Sequence, residues 1–211
     1  MAASSAIYEN IKLPEEQFDC FYLEWLVPEK GESLKSYSLR LLEGVNHELP
    51  VLIGTSFGGV VVQEMARYIE TSRLIIISSI KSNQEFPRRM KLARSTGIYK
   101  VLPTRLVEYS KLLLKYNFGV AERKLKLYHS YLSMKDRRYL DWALHNIIHW
   151  DRDRPIPGIV HIHGDKDPVF PIKYIQNCVT LKNGTHVMVI HRFRWFNEHL
   201  PKLILTGKMI E

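Results

Sequence analysis

Leu49-Pro50-Val51-Leu52-Ile53-Gly54-Thr55-Ser56-Phe57-Gly58-Gly59-Val60-Val61-Val62 sets one serine among three glycines, between two apolar runs. The run before it predicts a strand over Val51–Gly54. The run after it predicts a helix over Gly59–Glu70, because Val61, Val62, Met65, Ala66 and Ile69 fall on one helical face. Gly54-Thr55-Ser56-Phe57-Gly58 is a Gly-x-Ser-x-Gly pattern in a strand–turn–helix context. A serine on so sharp a turn is held in a strained backbone conformation with its hydroxyl lifted clear of the sheet. It also lies at a helix N-terminus, where free N–H groups favour a developing negative charge. The backbone N–H of Phe57 is then a candidate oxyanion donor. The alternative is a glycine-rich turn used only for packing.

An unassisted serine is a weak nucleophile and needs a base held by a third group. Two downstream stretches offer them. His161-Ile162-His163-Gly164-Asp165-Lys166-Asp167-Pro168 ends a predicted strand, Gly158–Ile162, and turns sharply. Asn183-Gly184-Thr185-His186 follows another, Cys178–Leu181. Further strands are expected at Phe18–Trp25 and Leu74–Ser78, and helices at Ser5–Ile11, Ser33–Leu42 and Phe193–Leu200. Short apolar strands alternating with helices argue for an α/β fold with a mainly parallel sheet and flanking helices. Such sheets hold their sites at the C-terminal ends of the strands, where all three candidate groups fall.

These motifs resemble the α/β-hydrolase family, with partners in the order serine, acid, histidine along nearly the whole chain. The resemblance implies Ser56 as nucleophile, His186 as proton shuttle and Asp167 as orienting acid. Asp165 is the reserve acid, its other role being to cap the turn. It also implies a helical lid inserted at 83–150, with residues 1–82 and 151–211 forming the core of a single domain. Family members carry an earlier strand whose glycine-containing turn gives the second oxyanion donor. Here the sequence shows no apolar strand ahead of the first helix, so the core is expected to be N-terminally shortened. Met1 or Ala2 then stands where that donor should be, and Met1 is expected to be misassigned or an internal methionine of a longer protein. The function implied is hydrolysis of a small ester or related acyl substrate. The alternative is a binding or regulatory module with an incomplete oxyanion hole.

Charge is uneven: residues 82–154 hold sixteen Lys or Arg against seven Asp or Glu, more than the whole chain's net +8. Aromatic residues alternate with these bases, as a solvated helical surface or a lid over an apolar, partly anionic substrate would require. Nucleic-acid motifs and repeats are missing, and no apolar run approaches the roughly 20 residues that span a bilayer. The N-terminal residues have neither the basic flank nor the apolar stretch of a signal peptide. Cys20 and Cys178, in apolar contexts, read as reduced core residues. A cytoplasmic location follows, with no nucleic-acid or membrane partner. A homo-oligomer that covers an exposed sheet edge fits the shortened core.

Nine histidines raise a metal reading. His161-Ile162-His163-Gly164-Asp165 is similar to the start of the metallo-β-lactamase signature, but Lys166 occupies the place of its next histidine. His145 and His149 are spaced for a helical chelate. Isolated pairs of this kind usually pack or hydrogen-bond, so neither a metal nor a cofactor is expected.

Overall fold

The computed structural model describes residues 3–100, 131 and 134–209. Four parallel strands form one sheet in the order β1 (Val51–Thr55), β2 (Arg73–Ile77), β3 (Val160–Gly164) and β4 (Val179–Leu181). Val51 pairs with Arg73, Ile75 with Val160 and Ile162 with Val179. β2 and β3 lie in the middle of the sheet. Their near-continuous burial explains why they read as unbroken apolar runs rather than alternating ones.

Helices cover both faces. On one side pack α1 (Leu34–Leu42), α2 (Phe57–Met65) and α4 (Arg137–His149), burying Leu41, Val61, Met65 and Ile147 with Leu52, Leu74 and Ile76 of the sheet. On the other, α5 (Met188–His191) and α6 (Phe193–Thr206) bury Val189, Phe196 and Leu203 with Ile75, Ile77 and Ile162. α3 (Arg88–Thr96) precedes α4 in the chain, between β2 and β3. Caps fix the entries: Ser33 Oγ accepts from Ser36 N at 3.0 Å, and Asp136 Oδ1 accepts from Arg138 N at 2.7 Å.

Several expectations are corrected. α6 does not stop at Leu200 but runs through Pro201 to Thr206. An internal proline costs about 3 kcal/mol. Burying Leu203 and Ile204 contributes on the order of 1.5–3 kcal/mol each, which offsets it. α2 begins at Phe57, directly after the serine, and ends at Met65 rather than Glu70. Ser5–Ile11 holds only a 3-10 turn, Ser5–Tyr8. Cys20 is exposed and Cys178 half-buried, both free, so Cys20 is not a core residue.

The largest departure is Phe18–Trp25, which joins no strand. A strand exists by pairing, and this segment has no ladder partner among the described residues. Two apolar cavities of about 320 and 340 Å³ separate it from the free edge of β1. Phe21, Tyr22 and Leu23 are exposed as a result. Of the interval expected as a lid, residues 101–130 and 132–133 lie outside the described residues. No described helix is long and apolar enough to cross a membrane.

Candidate active site

Ser56 occupies the single residue between β1 and α2, with φ 56° and ψ −122°. This is a positive-φ conformation that few residues with a side chain adopt, and it persists only where the surroundings hold it. Two contacts do so. A Cβ on Gly54 would lie 2.2 Å from the Gly58 carbonyl oxygen, so strand and helix touch backbone to backbone across the turn. The Ser79 hydroxyl donates to the Ser56 carbonyl at 2.7 Å. Gly58 itself is less constrained, since a Cβ there would meet the Trp25 ring at 3.8 Å, an ordinary contact.

His186 and Asp167 arrive from the loops after β4 and β3. Ser56 Oγ lies 2.9 Å from His186 Nε2, and His186 Nδ1 lies 2.8 Å from Asp167 Oδ2. The other carboxylate oxygen of Asp167 accepts from the N–H groups of Val169 at 2.7 Å and Phe170 at 3.0 Å. Burial alone would raise the pKa of this carboxyl. The bond from His186 and the two backbone donors outweigh it, and Asp167 sits below its usual range. An ionised Asp167 can only accept, so Nδ1 carries the imidazole proton and Nε2 is left to receive the serine's.

Asp165 stands apart from this chain of bonds. Its backbone N–H closes the turn onto Leu181 O at 3.2 Å, and its Oδ1 is buried without a partner among the described residues. The N–H of Phe57 has no acceptor among the described residues. Ala2 lies outside them. The adjacent Ala3 carbonyl accepts from Trp25 Nε1 at 2.8 Å. Aromatic rings crowd the elbow on that side: Trp25 stacks 5.9 Å from Phe57, and Trp142 meets Phe57 edge-on at 5.8 Å.

The histidines weighed as metal ligands do other work. His163 donates from Nε2 to the Phe170 carbonyl at 2.8 Å, which pins the acid loop, and its Nδ1 accepts from His161 at 3.1 Å. Burial lowers the pKa of both rings, that of His161 well below its ordinary value, with neighbouring His163 and Lys81 adding to the effect. His145 and His149 stack at 4.3 Å, and Tyr99 shares a hydrogen bond with His145. Among the described residues no group of three or more His, Cys, Asp and Glu is placed to hold a metal.

Supporting residues that sequence reasoning missed surround the site. Buried Lys81 donates from Nζ to the carbonyls of Gln176 and Asn177 and pairs with Glu85 at 3.5 Å. Glu85 accepts in turn from Gln176 N at 3.2 Å, so the far end of the acid loop is tied to the segment after β2. Tyr8 shares a hydrogen bond with Thr55 Oγ1 at 2.7 Å, and burial pushes its pKa up to about 12. No motif marks these positions. Ser79 and Lys81 follow β2 directly, and that adjacency to the elbow strand is the one signal available.

The cavity of about 320 Å³ opens beside Ser56 and His186 and continues past Tyr8 along β1. No protein-family model matches the chain, and no curated protein matches it in sequence. Solved structures do. An esterase from Exiguobacterium antarcticum superimposes with a TM-score of 0.66 at 15% identity, covering 97% of this chain and 88% of its own. A thermophilic esterase from Thermogutta terrifontis gives 0.62 at 12% identity, covering 99% and 88%. A bromoperoxidase from Bacillus anthracis gives 0.56 at 19% identity, covering 81% and 72%. Similarity at this identity speaks to architecture. With its parallel sheet flanked by helices, which superimposes on these structures, the chain has the α/β-hydrolase fold.

Proposed function

We propose that this protein is a serine hydrolase that cleaves a small ester or related acyl substrate. The observation that carries the reading is the unbroken line from Ser56 Oγ through His186 to Asp167, with both bonds below 3 Å and the serine on a strained turn. His186 Nε2 takes the hydroxyl proton as Ser56 Oγ attacks the carbonyl carbon. Negative charge collects on the carbonyl oxygen, beside the Phe57 N–H at the start of α2. Collapse of the tetrahedral adduct breaks the bond to the leaving alcohol, which departs with the proton from His186. Water then attacks the acyl-serine with His186 again as base, releasing the acid. Asp167 holds the imidazole tautomer throughout and stabilises its cationic form. The hydrolase and esterase names of the structural neighbours support the class of reaction.

The 83–150 block serves as the lid in this reading. Tyr139 and Trp142 of α4 reach the rings around the elbow, which supports that placement. The test is labelling by a fluorophosphonate, together with turnover of p-nitrophenyl acetate and butyrate, in the native chain, Ser56→Ala and His186→Ala. Labelling and turnover that vanish in both variants are expected. A native chain that binds acyl ligands without labelling or Ser56-dependent turnover is instead a binding module.

A further inference from the structure

We infer that Arg89, in the first turn of α3, is a positioning residue for Asp167, gripping from behind the two peptide groups that hold its carboxylate. The inference rests on the serine-hydrolase reading above. Asp167 Oδ1 accepts from the N–H groups of Val169 and Phe170. The carbonyls of those same two peptide groups are those of Pro168 and Val169. Arg89 Nη2 donates to both, reaching Val169 O at 2.7 Å. A trans peptide group points its N–H and its C=O in opposite directions. One side chain thus fixes on the outer side what the carboxylate meets on the inner side. The next carbonyl, that of Phe170, is held by His163. With three successive carbonyls fixed, Asp167 Oδ2 is left facing His186 Nδ1.

Charge adds strength to direction. A guanidinium stays protonated throughout the range in which the protein is folded. A charged donor on a carbonyl polarises the whole amide and strengthens the N–H on its far side. Those N–H groups are among the causes that hold the Asp167 carboxyl below its usual range. The helix itself gives Arg89 no reason to be there. Arg88 and Arg89 open α3 with no acid in its first turn, an arrangement the helix dipole disfavours. No carboxylate pairs with Arg89 among the described residues. Lys81 and Glu85 hold the far end of the same loop, so Asp167 is set from the segment after β2 as well as from its own strand.

Arg89 is exposed, so replacing it leaves no buried cavity. Arg89→Met keeps the aliphatic stem and removes the donors, and Arg89→Ala leaves room for ethylguanidinium. In both, the fluorophosphonate labelling rate and kcat for p-nitrophenyl acetate are expected to fall about 10- to 100-fold. KM should stay within about twofold and the urea midpoint should not move. Millimolar ethylguanidinium should restore the rate of Arg89→Ala but not that of Arg89→Met. The low-field proton resonance of His186 Nδ1, identified by its loss in His186→Ala, should move upfield or broaden in both variants. Unchanged rates and an unchanged resonance overturn the assignment. A loss that tracks the urea midpoint and is not rescued overturns it too. A native chain that shows the resonance without labelling sinks the hydrolase reading alone, and the resonance in the variants then decides the role of Arg89. A native chain with neither signal overturns both.

Discussion

A Cβ on Gly164 would lie 2.2 Å from the carbonyl oxygen of Gly184, so the end of β3 and the turn after β4 meet backbone to backbone. Lys166 N donates to that same carbonyl at 2.9 Å. The acid stands three residues beyond Gly164 and the histidine two beyond Gly184, so this contact sets their separation. Gly164→Ala is expected to push the loops apart. The fluorophosphonate labelling rate should fall on the order of 10²-fold, the usual cost of displacing a reacting group by about 1 Å. Stability should fall by about 1–3 kcal/mol, read from the urea midpoint. An unchanged labelling rate would refute this account of the contact.

Asp167→Asn is expected to lower kcat by about 10⁴-fold with the fold intact, because an amide facing His186 Nδ1 favours the wrong tautomer. Asp165→Asn should stay within a few-fold of the native chain, having no bond to the histidine. Parallel p-nitrophenyl ester assays separate the two, and equal losses would show that the acid loop acts through its shape.

The elbow motif has two glycines, but the geometry needs only one of them free of a side chain. Gly54→Ala drives a Cβ into the Gly58 carbonyl and is expected to leave little soluble, folded protein. Gly58→Ala meets only the Trp25 ring, and within a helix it should be neutral or stabilise by up to about 1 kcal/mol. Thermal melts of the two variants decide the point.

Acid should destabilise the protein through His161 and His163. Both have folded pKa values below their ordinary 6.5, so between the folded and unfolded values the unfolded chain binds more protons. Their contribution to stability is complete above about pH 6.5 and is lost as the pH falls below it, by at most about 1.4 kcal/mol per pH unit for each ring. Urea midpoints at pH 7.5 and 5.5 measure the slope, and His161→Phe should flatten it. Asp167 acts in the same direction at lower pH: its folded pKa is depressed, so its contribution disappears as the carboxylate is protonated.

The sequence made the elbow legible because strand, serine and helix are contiguous there, and local pattern suffices for local structure. The choice between Asp165 and Asp167 was not legible from spacing alone. It depends on which carboxylate the N–H groups of Val169 and Phe170 face, a property of the folded turn. Phe18–Trp25 failed for another reason: its residues suit a strand, but pairing is decided by a neighbour, and none stands beside it among the described residues. The length of α6 was hidden because Pro201 speaks against a helix locally, while the burial of Leu203 and Ile204 is a tertiary fact.

Lys81 is 4% exposed, whereas Lys12, Lys35, Lys91, Lys166 and Lys202 are on the surface. An amine-reactive reagent should therefore modify it after these, once the tie to Gln176 and Asn177 has opened. Peptide mapping after graded acylation would turn this ammonium into a clock for local opening of the loop that carries Asp167, read separately from global unfolding. A chain can keep its overall melting temperature while that loop loosens, and the rate at which Lys81 takes up label would register the difference.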